Sequence, residues 1–187
     1  MQVRWLIPLG AAAAATAQVA YATQYLSVEQ AQRAAFAGAS EFRALPQLDA
    51  SIAAAFTAPA GWSPRIFEAR AADQALGWVI VDQVIGKSEL ITYALALDTA
   101  GKVISVEVLE YRESHGGEIR MPAWRKQFVG KMPADASALG GEIKNISGAT
   151  LSCRHLTEGV QRLLKLYERA LKPESSPSPR AAGERAG

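Results

Sequence analysis

The residues best suited to chemistry form one short run of small side chains, Ser147-Gly148-Ala149-Thr150-Leu151-Ser152, directly before a stretch predicted to be helical. On spacing alone, the run is the start of a helix, with Thr150 or Ser152 as the N-cap and Gly148 permitting the turn. The same place also suits an anion, because first-turn N–H groups and the helix dipole favour a phosphate. The small side chains would also let a modifying enzyme reach the Thr150 hydroxyl.

A second polar segment lies upstream and consists of Glu113, Ser114, His115, Gly116 and Gly117. Its glycines allow backbone N–H groups to approach a ligand closely. The alternative is an ordinary connection between a strand and a helix, with solvated charges. An unperturbed histidine titrates near pH ~6.5, so His115 could carry a proton in a ligand site.

Three further side chains are predicted to be structural first. Trp124 and Phe128 lie four residues apart on one helical face, which favours core packing, although one of them could wall a cofactor. Cys153 is the single cysteine, and a buried structural thiol is commoner than a reactive one. One cysteine and two histidines exclude an intramolecular disulfide and a structural zinc site.

Composition restricts the class of protein. The chain has 187 residues, of which 49% are hydrophobic and 20% charged, with a formal net charge of +2. These values describe one globular domain and exclude a collagen, a coiled coil and a wholly disordered chain. Charge balance without a basic stripe excludes nucleic acid as an expected partner.

The two ends of the sequence differ from its middle. Residues 1–22 combine Arg4, an apolar run and the small residues Ala20 and Ala22, which predicts a secretory signal peptide cleaved after Ala22. The alternative is an uncleaved membrane anchor. Residues 172–187 are rich in proline and serine and predict a solvated tail, which leaves residues 23–171 as the domain.

The elements that must position the polar segments follow from residue patterns. A capping box at Ser27 predicts a helix that continues to Leu45 and ends at Pro46. Four strands are predicted at residues 66–69, 76–85, 90–98 and 102–111, with turns at residues 86–88 and 98–101. A short helical piece covers residues 124–129, and a stripe of apolar residues predicts a long last helix: Leu156, Val160, Leu163, Leu164, Tyr167 and Leu171. The predicted class is α+β, an antiparallel sheet of about four strands packed with helices.

The run at residues 147–150 resembles the flavinylation motif of the FMN-binding domain family, found in subunits of the sodium-pumping NADH:quinone oxidoreductase, the Rnf complex and the nitrous-oxide reductase regulator. The segment from Tyr111 to Ile119, followed by Trp124 and Phe128-Val129-Gly130, is similar to a second family segment. The resemblance covers roughly residues 76–164. It implies that a flavin transferase joins FMN through its phosphate to Thr150. The implied cofactor-binding residues are Ser147, Gly148, Ala149, Thr150, Leu151, Ser152, Glu113, Ser114, His115, Gly116 and Trp124.

Two positions depart from the family pattern. Relatives commonly place an aspartate three residues before the serine of the motif, where this sequence has Lys144, with Glu142 as the nearest acid. His115 stands where many relatives have proline, which indicates a subgroup. Arg154, His155 and Lys144 are close enough in sequence to offset the charge of a phosphodiester at Thr150.

The resemblance implies an exported electron-transfer flavoprotein that relays electrons between membrane or periplasmic redox proteins, rather than a stand-alone enzyme. One alternative is a regulatory or ligand-binding module of the same fold that carries out no redox chemistry. Another is an exported hydrolase with Ser147 or Ser152 as nucleophile, which would need His115 or His155 as its base.

Overall fold

The computed structural model of the chain describes residues 23–173. The predicted signal peptide lies outside these residues, as does the predicted tail beyond Pro173. The strands are β1 (Thr23–Gln24), β2 (Glu41–Ala44), β3 (Arg65–Ala71), β4 (Gln74–Ile85), β5 (Leu90–Asp98) and β6 (Val103–Tyr111). The α-helices are α1 (Val28–Ala35), α2 (Ala50–Ala53), α3 (Pro122–Arg125), α4 (Leu139–Glu142) and α5 (Thr150–Leu166). This architecture confirms the predicted α+β class.

All six strands form one antiparallel sheet in the order β1-β6-β5-β4-β3-β2. The four predicted strands are β3 to β6, joined by short turns as expected. The turn after β5 closes with a hydrogen bond of 2.9 Å from the N–H of Gly101 to the carbonyl of Asp98. Gly101 has φ +83°, a conformation that glycine adopts readily. The sheet therefore has two more strands than predicted, one at each edge.

The predicted helix from Ser27 to Leu45 is wrong in its second half. The capping box at Ser27 is present, but α1 ends at Ala35, and the chain then turns back to form β2. The cause is tertiary, because β2 pairs with β3 and Arg43 forms an ion pair of 2.6 Å with Glu68. An alanine-rich composition favours a helix, but this local preference is weak, and backbone hydrogen bonds to a neighbouring strand outweigh it.

Each face of the sheet carries its own apolar cluster. On one face α5 covers the larger cluster, which includes Ile80, Tyr93 and Leu95. On the other face α1 contributes Ala31 to a smaller cluster around Val79. Alternation along the strands produces this division, since successive side chains point to opposite faces.

The predicted apolar stripe of the last helix is confirmed. Leu156, Val160, Leu163, Leu164 and Tyr167 are buried and Leu171 is half-buried. The helix continues past Leu166 as a π-helical turn, Tyr167–Leu171. No helix within residues 23–173 is both long and apolar enough to cross a bilayer.

Candidate functional site

Three chain segments meet at one end of the sheet and enclose a cleft of about 420 Å³. They are the β4–β5 turn, the loop after β6 and the start of α5. The lining residues are Lys87, Ser88, Glu113, Ser114, His115, Gly148, Ala149, Thr150, Leu151 and Ser152. The two polar segments identified from sequence, about 30 residues apart in the chain, therefore form one site. Its volume lies in the range of small-molecule pockets, about 300–1,000 Å³.

The start of α5 differs from the simple capping prediction. Ala149 is the N-cap residue, so neither Thr150 nor Ser152 caps the helix, and no side chain satisfies the first-turn N–H groups. The first N–H groups of a helix have no partner within the helix and carry its positive dipole end. Thr150 is exposed at this point, and Gly148, with φ +85°, leaves open space where a Cβ would lie. The first turn of α5 can therefore accept an anion.

Ser152 and Tyr111 connect the helix to the loop beneath the cleft. Both residues are buried, and their hydroxyl oxygens lie 3.3 Å apart. The Tyr111 hydroxyl donates to the carbonyl of His115, which leaves the Ser152 hydroxyl to donate to Tyr111. A Cβ on Gly116 would lie 2.7 Å from the Tyr111 oxygen, so only glycine fits there without displacement. Ser152 and Gly116 therefore shape the cleft chiefly through their contacts with the Tyr111 hydroxyl.

Glu113 connects the loop to the β4–β5 turn. Its Oε1 atom accepts hydrogen bonds from the N–H groups of Ser88 at 2.6 Å and Glu89 at 2.9 Å, and its Oε2 accepts from the Ser88 hydroxyl at 3.2 Å. Partial burial by itself raises the pKa of Glu113, but these backbone hydrogen bonds outweigh it and lower the pKa below its ordinary value. Glu113 therefore holds the turn as an ionised carboxylate while lining the cleft.

The remaining predicted site residues divide into two groups. Ser114 and His115 are exposed in the cleft and hydrogen-bonded to each other, with 2.9 Å between the Ser114 Oγ and the His115 Nδ1. Trp124 does not line the cleft: it is buried in the core, packs edge-on against Phe128 and donates a 2.8 Å hydrogen bond to the carbonyl of Lys144. Ser147 is exposed on the turn before α5 but lies outside the cleft lining.

The basic side chains predicted to offset the charge of a phosphate do not line the cleft. Arg154 forms an ion pair of 3.3 Å with Glu158 on the outside of α5. His155 Nδ1 lies 2.7 Å from the carbonyl oxygen of Ile85, so this nitrogen carries the proton and donates it. Lys144 is exposed away from the cleft lining, and Glu142 forms an ion pair of 2.5 Å with Lys131. Among the residues that line the cleft, Lys87 is the one with a positively charged side chain of the lysine or arginine type.

Sequence reasoning missed Lys87, Ser88 and Tyr111. The signal that could have found them is strand direction, because β4 and β6 run parallel to each other with β5 antiparallel between them. The turn after β4 and the loop after β6 therefore emerge at the same end of the sheet. The predicted turn at residues 86–88 and the predicted end of a strand at residue 111 already contained this information.

Cys153 lies directly behind the cleft but is not a reactive group. It is fully buried, its sulfur accepts a hydrogen bond from the N–H of Ile146 at 3.4 Å, and burial raises the pKa of its thiol. A high pKa suppresses the thiolate that reacts with electrophiles or binds metals. The prediction of a structural cysteine agrees with this environment.

Two arrangements considered from the sequence are not found among the described residues. Within residues 23–173, no three histidine, cysteine, aspartate or glutamate side chains are grouped to hold a metal ion. In the same part of the chain, neither His115 nor His155 hydrogen-bonds to Ser147 or Ser152. A larger cavity, about 600 Å³, lies between residues 55–57 and the second half of α5, away from both polar segments.

Comparison with known proteins agrees with this geometry. Residues 86–165 match the family described as the FMN-binding domain. The chain is also 29% identical over 122 residues to the G subunit of the ion-translocating oxidoreductase complex of Stutzerimonas stutzeri, a match that covers 59% of this chain. The match covers 54% of that relative, so the chain spans about half the length of the relative it matches. The predicted resemblance to the FMN-binding domain family is therefore confirmed, and the matched residues contain all three walls of the cleft.

Proposed function

We propose that the protein is an exported electron-transfer flavoprotein that carries FMN joined through its phosphate to Thr150. The observation that carries the proposal is the position of Thr150, exposed at the uncapped start of α5 and at the wall of a cleft large enough for a small ligand. The family match supports FMN as that ligand. The name of the relative supports a role in electron transport.

The residues of the cleft suit the phosphate and the polar atoms of FMN. A phosphate at the Thr150 oxygen would meet the first-turn N–H groups of α5, which no side chain caps. Gly148 leaves open space beside that position. Hydroxyl groups of Ser88 and Ser114 line the wall from the two other segments and can hydrogen-bond to polar atoms of a ring system.

FMN supplies the redox chemistry when it is bound, and the chain supplies position and electrostatics. Thr150 fixes the cofactor by a covalent bond, so a cofactor in an open cleft is not lost by dissociation. Glu113 and Tyr111 hold the loop against the turn and the helix, which keeps the three walls in register. We expect a flavin transferase for maturation and membrane or periplasmic redox proteins as donor and acceptor.

The decisive test is the intact mass of the denatured protein after export from its native host, or after production with an active flavin transferase. We expect a gain of one FMN less water in the wild type and none in Thr150→Ala. Ser137→Ala is the matched control, since it removes an exposed hydroxyl that lies outside both the motif and the cleft lining and should keep the full mass gain. An unmodified wild type in the presence of the active transferase would exclude covalent attachment.

A second candidate is a module of the same fold that binds its ligand without a covalent bond and without electron transfer. The observation that favours it is Lys144, which replaces the aspartate common in relatives, together with the engagement of Glu142 by Lys131. A colourless protein purified from the native host would support this candidate. A yellow protein that loses its colour on denaturation and filtration would support non-covalent flavin binding.

A further inference from the structure

We propose that Lys87 tunes the midpoint potential of the bound flavin by placing a positive charge at the cleft. The inference rests on the proposed function and adds a residue that neither the flavinylation motif nor the loop after β6 contains. Lys87 lies at the tip of the β4–β5 turn and lines the cleft together with Thr150 and His115.

The turn that carries Lys87 is held from two sides. On one side the Glu113 carboxylate accepts hydrogen bonds from the backbone of Ser88 and Glu89. On the other side His155 of α5 donates from Nδ1 to the carbonyl oxygens of Ile85, at 2.7 Å, and Gly86, at 2.9 Å. The turn is therefore fixed to both other walls of the cleft, which is unusual for the exposed tip of a hairpin.

Close packing also restricts this turn. A Cβ at Gly86 would lie 2.7 Å from the Oε1 atom of Glu113 and 3.1 Å from a side-chain carbon of Ile91. The turn can approach the loop this closely because residue 86 is glycine. The backbone beside Lys87 is thus positioned by direct contacts, and its exposed side chain remains available to a ligand.

The charge of Lys87 is not neutralised by an ion pair with any described carboxylate, since the ion pairs within residues 23–173 involve other side chains. The one acid that lines the cleft, Glu113, directs its oxygens to the N–H groups of the turn. Arg154 and His155, the basic residues nearest in sequence to Thr150, pair with Glu158 and with carbonyl oxygens of the turn. Lys87 therefore supplies the positive charge at the cleft that is free to face the ligand.

The phosphate of FMN already has a favourable position at the start of α5. The ring system has a different requirement. When it takes up two electrons from a reductant and one proton from water, it gains one negative charge. A nearby ammonium group favours the form that carries this charge, in a site less polar than water. Lys87 should therefore raise the midpoint potential.

The test is a two-electron midpoint potential, measured on flavinylated protein by titration with dithionite against a reference dye. Lys87→Gln should favour the oxidised flavin by roughly tenfold, which lowers the potential by about 30 mV for a two-electron couple. Lys87→Arg should restore most of the wild-type value. Lys165→Gln is the charge-matched control, because Lys165 is exposed on α5 about 22 Å along the helix from Thr150.

The salt dependence sharpens the result. Raising the ionic strength from about 0.01 M to about 0.5 M should reduce the difference between wild type and Lys87→Gln, because mobile ions screen an exposed charge. Equal potentials for wild type and Lys87→Gln, or equal shifts in Lys87→Gln and Lys165→Gln, would overturn the inference. Loss of flavin from Lys87→Gln alone would also overturn it, since Lys87 would then be required for attachment. A wild type without flavin would instead refute the proposed function.

Discussion

Two clusters of polar side chains involve α5, one through Arg162 in its second half and one at its first turn, and they differ in exposure. The carboxylate of Asp82, on β4, accepts hydrogen bonds from Trp62 at 2.8 Å, Tyr93 at 3.0 Å and Arg162 at 2.9 Å. In the cleft, Thr150, Ser114 and His115 remain exposed. The Asp82 carboxylate is thus paired with three donors of the chain itself, although the Nε atom of Arg162 is buried without a hydrogen-bond partner. The exposed side chains of the cleft are available to a ligand.

Burial reinforces this difference. The side chain of Asp82 is 3% exposed and that of Arg162 is 11% exposed. Burial, and to a lesser extent the Asp82 charge, raises the pKa of Tyr93, so its hydroxyl stays protonated and donates to Asp82. The Arg162 guanidinium also lies over the Trp62 ring at 5.1 Å. These contacts tie Trp62 to β4, β5 and α5.

The largest effect is expected when the Asp82 cluster loses its anion. Asp82→Ala leaves the Arg162 guanidinium buried without a counter-charge, which costs about 3–5 kcal/mol of folding free energy. Urea denaturation of the full chain measures the change. Asp73→Ala, at an exposed aspartate, should change the free energy by less than about 0.5 kcal/mol. Equal effects of the two substitutions would mean that the Asp82 cluster does not stabilise the fold.

The packing of the same cluster against α5 gives the next effect. A Cβ at Gly159 would lie 2.4 Å from the Tyr93 hydroxyl oxygen and 2.8 Å from a Val84 methyl carbon. We therefore expect Gly159→Ala to destabilise the protein by about 1–3 kcal/mol, as overpacking does. Gly141→Ala is the matched control within a helix, because nothing lies within 4 Å of the position that its Cβ would take. Thermal unfolding of both variants should show a lower Tm for Gly159→Ala only.

On the cleft side, Tyr111→Phe removes one hydroxyl that bonds to the His115 carbonyl and the Ser152 hydroxyl. We expect a loss of about 1 kcal/mol, the net value of such a hydrogen bond. The loss should be local, so amide hydrogen exchange should speed up at residues 113–117 more than in β4 or β5. Faster exchange spread evenly over the sheet would contradict a role confined to the cleft.

The smallest effect concerns pH. The pKa of Glu113 is lower in the folded protein than its ordinary value of about 4.3, so its stabilising contribution is present above that value. It is lost as pH falls through the lower folded pKa. Glu113→Gln should therefore flatten the decline in stability below about pH 4.3, with a difference under about 1 kcal/mol at pH 7. Denaturation curves at several pH values would show whether the two profiles converge in acid.

Local patterns predicted most of the sheet and the long helix. Strands β4, β5 and β6 begin and end within two residues of the predicted bounds, because runs of Val, Ile and Tyr are local signals. Strand β2 was missed, since its side chains are largely exposed and its pairing with β3 is a tertiary contact. Thr150 and Glu113, which were singled out from the sequence, both line the cleft. The alternative in which a hydroxyl of Thr150 or Ser152 caps α5 is wrong, since the N-cap is Ala149.

The cleft needed three-dimensional information. Lys87 and Thr150 are more than 60 residues apart in the chain, and no motif links them. Their proximity depends on the pairing of β4 with β5 and on the contact of His155 with the end of β4. Similarly, Arg154 and His155 lie close to the motif in sequence, but this proximity does not predict their contacts with Glu158 and with the carbonyl of Ile85.

The uncapped start of α5 has a consequence for the balance between stability and binding. A helix that begins at alanine forgoes about 1 kcal/mol that a serine, threonine or aspartate cap would provide. The protein without a ligand is less stable by this amount, and an anion at the same N–H groups restores it. Under the proposed function, the phosphate attached at Thr150 would therefore stabilise the folded state at this position. Selection for maximal stability of the empty protein would install a cap there and close the site to its ligand.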